Sequence, residues 1–340
     1  MNTSETIFGE SRRSQLEGWL RLILDECDFT LTDLAADAGA RRYFRIKPSG
    51  EHSLVLMDAP PVHNDNQQFA LVADLLEAHG LHVPKIKHAN FKDGFLLLSD
   101  LGDATYLKAL NSDNAAKLFD DATTALVQLQ SITELDSLNL YSADVMREEL
   151  ALFDTWYIQK NLQITLEEKV QSSLNNVLKL ITERCMSQAT VLTHRDYMPR
   201  NLMVCDANPG ILDFQDARIG PISYDVISLF KDAFISWEEE QIMDWTIRYW
   251  EKARKSSLPV PQDFGSFYED LEWMGLQRHL KILGVFSRLK HRDGKDHYII
   301  DAPRFLTYVR DVASRYNALK PLLLILDQIE GKTQQIGHTF

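Results

Sequence analysis

Cysteine is scarce in this chain. The three present among 340 residues, Cys27, Cys185 and Cys205, share no metal-type or redox-type spacing, so reduced, packed thiols and no disulfide framework are expected. Positive charge is also short. Lysine and arginine number 36 against 49 aspartates and glutamates, a formal net charge of −13, which repels phosphate backbones and anionic membranes and leaves no nucleic-acid partner expected. No stretch stays apolar for the ~18 residues a membrane span needs. The opening MNTSETIFGESRRSQLEGWL lacks the basic start and apolar core of a signal peptide, so a cytoplasmic protein is expected, with no membrane and no obligate protein partner. Neither G-x-x-x-x-G-K-[ST] nor G-x-G-x-x-G occurs, which removes P-loop and dinucleotide-fold phosphate binding.

What is present is ample apolar content, 45% of the chain, enough for one large or two modest domains. Between Ser14 and Cys27, Leu16, Leu20, Ile23 and Leu24 share one helical face. RRYFRIKP and HSLVLMDAPP, joined at Ser49-Gly50, predict a β-hairpin. NQQFALVADLLEAHG predicts a helix stopped by Gly80, and GFLLLSDLG a strand running into a glycine turn. Tyr106 to Ile132, Ala143 to Met186 and most of the chain from Ser236 onward read as helical, with Ser236-Trp237-Glu238-Glu239 as a capping box. Thr190 to Thr193, Leu202 to Cys205 and Gly210 to Phe214 suit brief strands. The fold class is α+β: a small antiparallel-sheet domain over residues 1–100 and a mainly helical domain over 101–340.

The chemistry concentrates in THRDYMPRNLMVCDANPGILDFQDARIGPISYDV, residues Thr193 to Val226. Phosphoryl transfer from a nucleotide needs a group orienting the attacking hydroxyl and oxygen ligands holding Mg²⁺ against the phosphates. His-Arg-Asp with Asn five residues later supplies both from one loop, Asp196 facing the hydroxyl and Asn201 offering a carbonyl to the metal. Asp213, ending an apolar run ahead of Phe214, supplies the further carboxylate. ATP and Mg²⁺ are the expected cofactors.

DFQDA and YDV extend the pattern, and the chain resembles the aminoglycoside phosphotransferase and choline kinase superfamily, which shares the protein-kinase fold. GLQRHLKILGVFSRLKHRDGKDHYIIDAPRFL, with RRYFRI, LVLMDAPP, FLLLSDLG and HRDYMPRNLM, looks like the anomeric kinases of N-acetylmuramate and N-acetylglucosamine of bacterial cell-wall recycling. The resemblance implies a two-lobed fold and ATP-dependent phosphorylation of an amino sugar at its C1 hydroxyl. It gives Asp196 as base and Asn201 and Asp213 as metal ligands, and places His194 and Asp225 in support, Asp225 accepting backbone N–H bonds of the loop. Adenine is expected at the backbone of Ser99 and Leu101. Arg200, Arg278, Lys281 and Arg288 are the candidates to meet the sugar or its carboxylate, unless the last three are helix-surface charges paired with acids.

The chain departs from the protein-kinase pattern where a strand lysine and helix glutamate clamp the phosphates, since Met57 and Phe69 stand there. Losing both together avoids stranding one charge. Arg42, Arg45 and Lys47 are the replacement cations, and Gly39 in DAGARR is what remains of the glycine-rich loop. A kinase of another small alcohol and a catalytically silent binding module remain open. Trp156 and Tyr157 could stack on a sugar ring. His63, His79, His82 and His88 crowd together at spacings that suit no metal.

Overall fold

Strand parity and helical stripes account for most of the fold. The computed structural model describes residues 3–24, 28–34, 41–48 and 52–331, with side chains from Arg12 onward; Cys27, Gly39 and the Ser49-Gly50 turn lie outside the described residues. Contacts divide the chain into two units, Met1–Thr105 with Met203–Gln215, and Tyr106–Leu202 with Asp216–Phe340.

In the first unit α1 (Thr3–Ile23) precedes β1 (Phe29–Asp33), β2 (Arg42–Pro48), β3 (Leu54–Asp58), α2 (Asn66–Ala78), β4 (Ile86–Asn90) and β5 (Phe95–Ser99). All neighbours in the sheet are antiparallel, in the order β1-β2-β3-β5-β4. The β2–β3 pairing is the expected one, and β1 and β4 add strands at its two edges. Because side chains alternate along a strand, Phe44, Ile46, Leu56, Phe95 and Leu97 share one face, and Leu16 and Leu20 of α1 are buried against them. Each such fully buried leucine contributes about 1.5–3 kcal/mol. Met57 pairs with Tyr43 and Leu96 and therefore belongs to the opposite face. Asp65 caps α2 by accepting the Gln68 N–H, and Gly80, at φ 77°, turns the chain after it.

The second unit opens with α3 (Tyr106–Ala109), α4 (Ala115–Gln130) and α5 (Ala143–Leu152), which runs on as a π-helical stretch over Phe153–Asn161. Then come α6 (Glu168–Met186), β6 (Thr190–Thr193) and β9 (Arg218–Pro221); between β6 and β9 in sequence lie β7 (Leu202–Met203) and β8 (Gly210–Ile211), of which β8 and Met203 belong to the first unit. The chain finishes through α7 (Tyr224–Phe230), α8 (Glu239–Lys255), α9 (Phe264–Asp293), α10 (Ala302–Arg315) and α11 (Lys320–Ile329). β6 and β9 pair antiparallel, Thr193 opposite Arg218. α9 is the centre: the π-helical stretch, α5, α6, α7 and α10 all pack on it. Among the described residues, no helix is long and apolar enough to cross a membrane.

Two local expectations are corrected. α8 is capped at Glu238 without a side-chain bond, and Ser236 instead lies 2.9 Å from the Tyr308 hydroxyl, so the capping box does not form. Glu239 and Glu240 still favour the helix start, because carboxylates in a first turn complement the dipole. Tyr157 is buried and stacked on Phe153 with centroids 5.5 Å apart, which makes it core rather than a sugar platform.

Gly284 of α9 has a steric reason. A Cβ there would lie 2.4 Å from the Leu152 carbonyl carbon and 2.5 Å from its oxygen, so only glycine lets the end of α5 approach this closely. Gly284→Ala is expected to destabilise the chain by roughly 1–3 kcal/mol, the range of overpacking against a backbone that cannot yield. A urea melt with an unchanged midpoint would contradict that reading.

The segment Met203–Gln215 belongs to the first unit although its sequence neighbours belong to the second. Ile211 donates its N–H to the His82 carbonyl at 2.8 Å, and Val204 its N–H to the Ala104 carbonyl at 2.7 Å. Phe214 stacks on Phe69 of α2, centroids 4.9 Å apart. The division of the sequence at residue 100 does not contain this returning segment.

Candidate active site

In the second unit the loop after β6 is held from beneath. Asp225, at the start of α7 and fully buried, accepts the N–H of His194 at 2.6 Å and of Arg195 at 2.9 Å. Burial raises the Asp225 carboxyl above its ordinary range, against the opposing pull of His194 and these two bonds. His194 Nδ1 accepts the Asp196 N–H at 3.2 Å, and its ring meets Tyr197 edge-on. Arg195 sits at φ 75°, a left-handed backbone that needs outside restraint in a non-glycine residue.

That restraint is an ionic cluster absent from the sequence-level expectations. The Arg195 side chain pairs with Glu149 and lies over the Tyr141 ring, 4.7 Å from its centroid. Glu149 also accepts Lys281 Nζ at 2.8 Å, Gln277 Nε2 at 3.2 Å and the Tyr141 hydroxyl. Burial would raise the Glu149 carboxyl, but Lys281 and Arg195 outweigh it and hold it below the usual range. A buried acid satisfied by two cations and two neutral donors is a rigid support. Only its position on the helical face of Met146 and Leu150 hinted at this in the sequence.

Asp196 keeps 37% of its side chain exposed, and its structural bonds in this loop are made by its backbone. The Asn201 side-chain amide donates to the Asp196 carbonyl at 2.9 Å, which orients the side chain so that its oxygen is the atom left for a cation. Arg278 on α9 is buried, donates to the Arg195 carbonyl at 3.1 Å and the Tyr224 hydroxyl at 3.2 Å, and lies 4.0 Å from Asp196. Desolvation works against its charge, but Tyr224, Asp196 and Asp232 outweigh that and keep it a cation.

The other acceptor-side candidates separate. Lys281 is committed to Glu149 and Tyr224. Arg288 is ten residues beyond Arg278 on α9, about 15 Å along the axis at ~1.5 Å per residue, so the two do not meet one small carboxylate. Arg200 places its guanidinium 4.1 Å from the Phe234 ring centroid. Trp156 is half-buried on the π-helical stretch.

In the first unit Asp213 has φ 63° and accepts the Gln215 amide at 2.8 Å. Met57 is fully buried and Phe69 nearly so, both apolar. Arg42 opposes Asp58 across β2 and β3 and pairs with it, as does Arg12 of α1. Parity therefore places Arg42 on the α1 side of the sheet, opposite Met57, and it does not replace the missing lysine. Arg45 does share the Met57 face, but it is bonded to Asp100, Asp103 and the Gly102 carbonyl. Burial raises the Asp100 carboxyl, yet the bonds from Arg45 and the Gly102 N–H pull it below its ordinary range. Gly102 makes this turn at φ 95°, a conformation that favours glycine. Lys47 is exposed. Ser99 gives its N–H to the Lys85 carbonyl at 2.9 Å, so that donor is not available to a purine and the Leu101 backbone carries the expectation. His82 lies 3.3 Å from Cys205 Sγ and helps fix the returning segment.

Oxygen ligands from an amide and a carboxylate suit a hard cation.

The sequence profile of a phosphotransferase enzyme family matches residues 30–260. Two relatives, each called an N-acetylmuramate/N-acetylglucosamine kinase, come from Neisseria meningitidis serogroup B and Pseudomonas aeruginosa. The first is 43% identical and the match covers 97% of this chain and 99% of the relative. The second is 42% identical, with 92% and 95% covered. Among solved structures, a choline kinase from Streptococcus pneumoniae aligns with TM-score 0.62 at 13% identity over 91% of this chain and all of its own. An ADP-bound aminoglycoside phosphotransferase aligns with TM-score 0.60 at 14% identity over 88% of this chain and 98% of its own. The fold is the protein-kinase-like one, a small antiparallel-sheet lobe and a large, mainly helical lobe.

Proposed function

The chain belongs to the phosphotransferase enzyme family, and from that premise we propose that it transfers the γ-phosphoryl group of ATP to the anomeric hydroxyl of N-acetylglucosamine and N-acetylmuramate in peptidoglycan recycling. The observation that carries the choice of acceptor is the buried Arg278 guanidinium 4.0 Å from Asp196. A fixed cation beside the orienting carboxylate disfavours choline-like or aminoglycoside acceptors, which are themselves cations, and tolerates a neutral sugar or one bearing a carboxylate.

In this reading Asp196 accepts a hydrogen bond from the sugar hydroxyl and fixes its oxygen for attack. Asp225 and the Glu149 cluster hold the loop, so little reorganisation remains when the acceptor arrives. In a loose transition state the proton leaves late, and orientation matters more than the basicity of Asp196. The hydroxyl proton passes to Asp196 as the new oxygen–phosphorus bond forms and ADP departs. Asn201 and Asp213 are the residues to hold Mg²⁺, which when bound neutralises charge on the phosphates.

The metal assignment has a direct test. Asn201→Ala and Asp213→Asn each delete or weaken an oxygen ligand, so the Mg²⁺ concentration for half-maximal rate is expected to rise about tenfold or more in each. Titrations superimposing on the unaltered enzyme would place the cation elsewhere.

A further inference from the structure

The turn that follows β5 is braced beyond what a connection needs. Arg45 of β2 reaches it with its whole guanidinium: Nε lies 2.6 Å from Asp100 Oδ2, Nη2 lies 3.0 Å from Asp100 Oδ1 and 2.9 Å from the Gly102 carbonyl, and Nη1 pairs with Asp103. Asp100 Oδ1 also accepts the Gly102 N–H at 2.9 Å. The planar fork of an arginine on a carboxylate fixes direction as well as distance. Both ends of the turn are tied too. Ser99 donates its N–H to the Lys85 carbonyl at 2.9 Å, its hydroxyl accepts the Lys85 N–H at 2.8 Å, and the Ala104 carbonyl accepts the Val204 N–H at 2.7 Å. All of these groups belong to the first unit.

Inside this bracing Leu101 is left open. It is half-buried, and among the described residues its N–H and C=O have no hydrogen-bond partner. Its side chain goes to the returning segment, where a Cβ on Gly210 would stand 2.9 Å from Leu101 Cδ1, so glycine there makes room for it. With the side chain packed and the flanking turn held, the backbone donor and acceptor of one residue are offered together. Adenine carries a complementary pair, a 6-amino donor beside a ring-nitrogen acceptor, whereas guanine places an O6 acceptor where that donor stands.

We propose that Arg45 is a nucleotide-positioning residue: through Asp100 and the Gly102 carbonyl it holds the Ser99–Asp103 turn in the shape that lets Leu101 select adenine. The inference rests on the reading of the chain as an ATP-using kinase, and it assigns Arg45 to the base, where strand position alone suggests the phosphates. Four of its five N–H donors are taken by the contacts to Asp100, Gly102 and Asp103, which leaves little for a phosphate. The two roles differ in outcome. A cation on the phosphates favours every nucleoside triphosphate alike, whereas a braced base edge favours one base.

The test is calorimetric binding of ATP and GTP, each with Mg²⁺ and without sugar, to the unaltered enzyme, Arg45→Ala, Asp100→Ala and the double variant of both. The unaltered enzyme should prefer ATP. Kd for ATP should rise about ten- to thirtyfold in each single variant, the range of two ordinary hydrogen bonds, while Kd for GTP stays near its original value and the preference collapses. The double variant should cost no more than either single one, because both break one link. Asp100 keeps only 5% of its side chain exposed, so Arg45→Ala strands a charge and should lower Tm. The double variant removes that charge and should regain Tm without regaining ATP affinity, a separation that a merely structural role does not give. The sugar KM should hold throughout. Equal loss toward ATP and GTP overturns the inference in favour of a phosphate contact. ATP affinity that recovers with Tm, additive losses in the double variant, or an unaltered enzyme indifferent to the base overturns it as well. If ATP binds but no amino sugar is phosphorylated, the acceptor reading falls and the binding data alone decide this inference; if neither nucleotide binds, both fall.

Discussion

Asp196→Asn is expected to lower kcat about 10³-fold while ATP affinity and Tm stay near their original values. The magnitude is that of removing a positioned proton acceptor, about 10²–10⁴. The separation of effects follows from the loop: Asp196 contributes its N–H to His194 and its carbonyl to Asn201, and both bonds are backbone bonds on its side. Asparagine keeps the volume and those bonds, and replaces a charged acceptor by a weaker neutral one. Steady-state kinetics, calorimetric ATP binding and a thermal melt together check it. Wild-type turnover would remove Asp196 from the reaction, and a collapsed melt would mean that the side chain is structural.

Asp225→Ala should have the largest effect on stability. It orphans the N–H groups of His194 and Arg195, both in a buried setting, at ~1–3 kcal/mol each, so a loss of about 2–6 kcal/mol is expected. Arg195, held at positive φ, would lose part of what keeps it there, and activity should fall with Tm. Asp225→Asn offers one acceptor oxygen where two are used and should be intermediate in both. An alanine variant with its melting temperature intact but no activity would instead put Asp225 in contact with substrate.

The sequence carried the parts of the fold that depend on near neighbours. The apolar and aromatic clustering in RRYFRIKP and LVLMD between turn residues predicts the hairpin, and Gly80 stops α2 where it was expected. IKHAN escaped because three of β4's five positions are exposed, with Lys87 and His88 among them, and FTLTD because β1 is an edge strand with little burial. The capping box failed for a different reason: the Ser236 hydroxyl lies at Tyr308, a partner seventy-two residues away that local spacing does not encode.

The same distinction runs through the site. Asp196, Asn201, Asp213 and Asp225 could be singled out because their spacing lies within one short stretch. The fates of Arg42 and Arg45 could not be read, since a charge near a strand is ambiguous until the register gives its face and Asp58 or Asp100 takes it. Lys281 and Arg278 are a turn apart on α9, yet one serves Glu149 and the other Asp196, a difference set by α5 and the loop after β6.

The most direct measurement is phosphorus NMR of the product formed from N-acetylglucosamine, ATP and Mg²⁺. If Asp196 holds the anomeric hydroxyl, the product is the 1-phosphate, its phosphorus is split into a doublet by the single anomeric hydrogen, and the reducing end is gone. The 1-deoxy sugar should bind without turning over. A 6-phosphate, a triplet in a product that still reduces copper reagents, would contradict the anomeric assignment and leave the fold and the phosphoryl-transfer machinery standing.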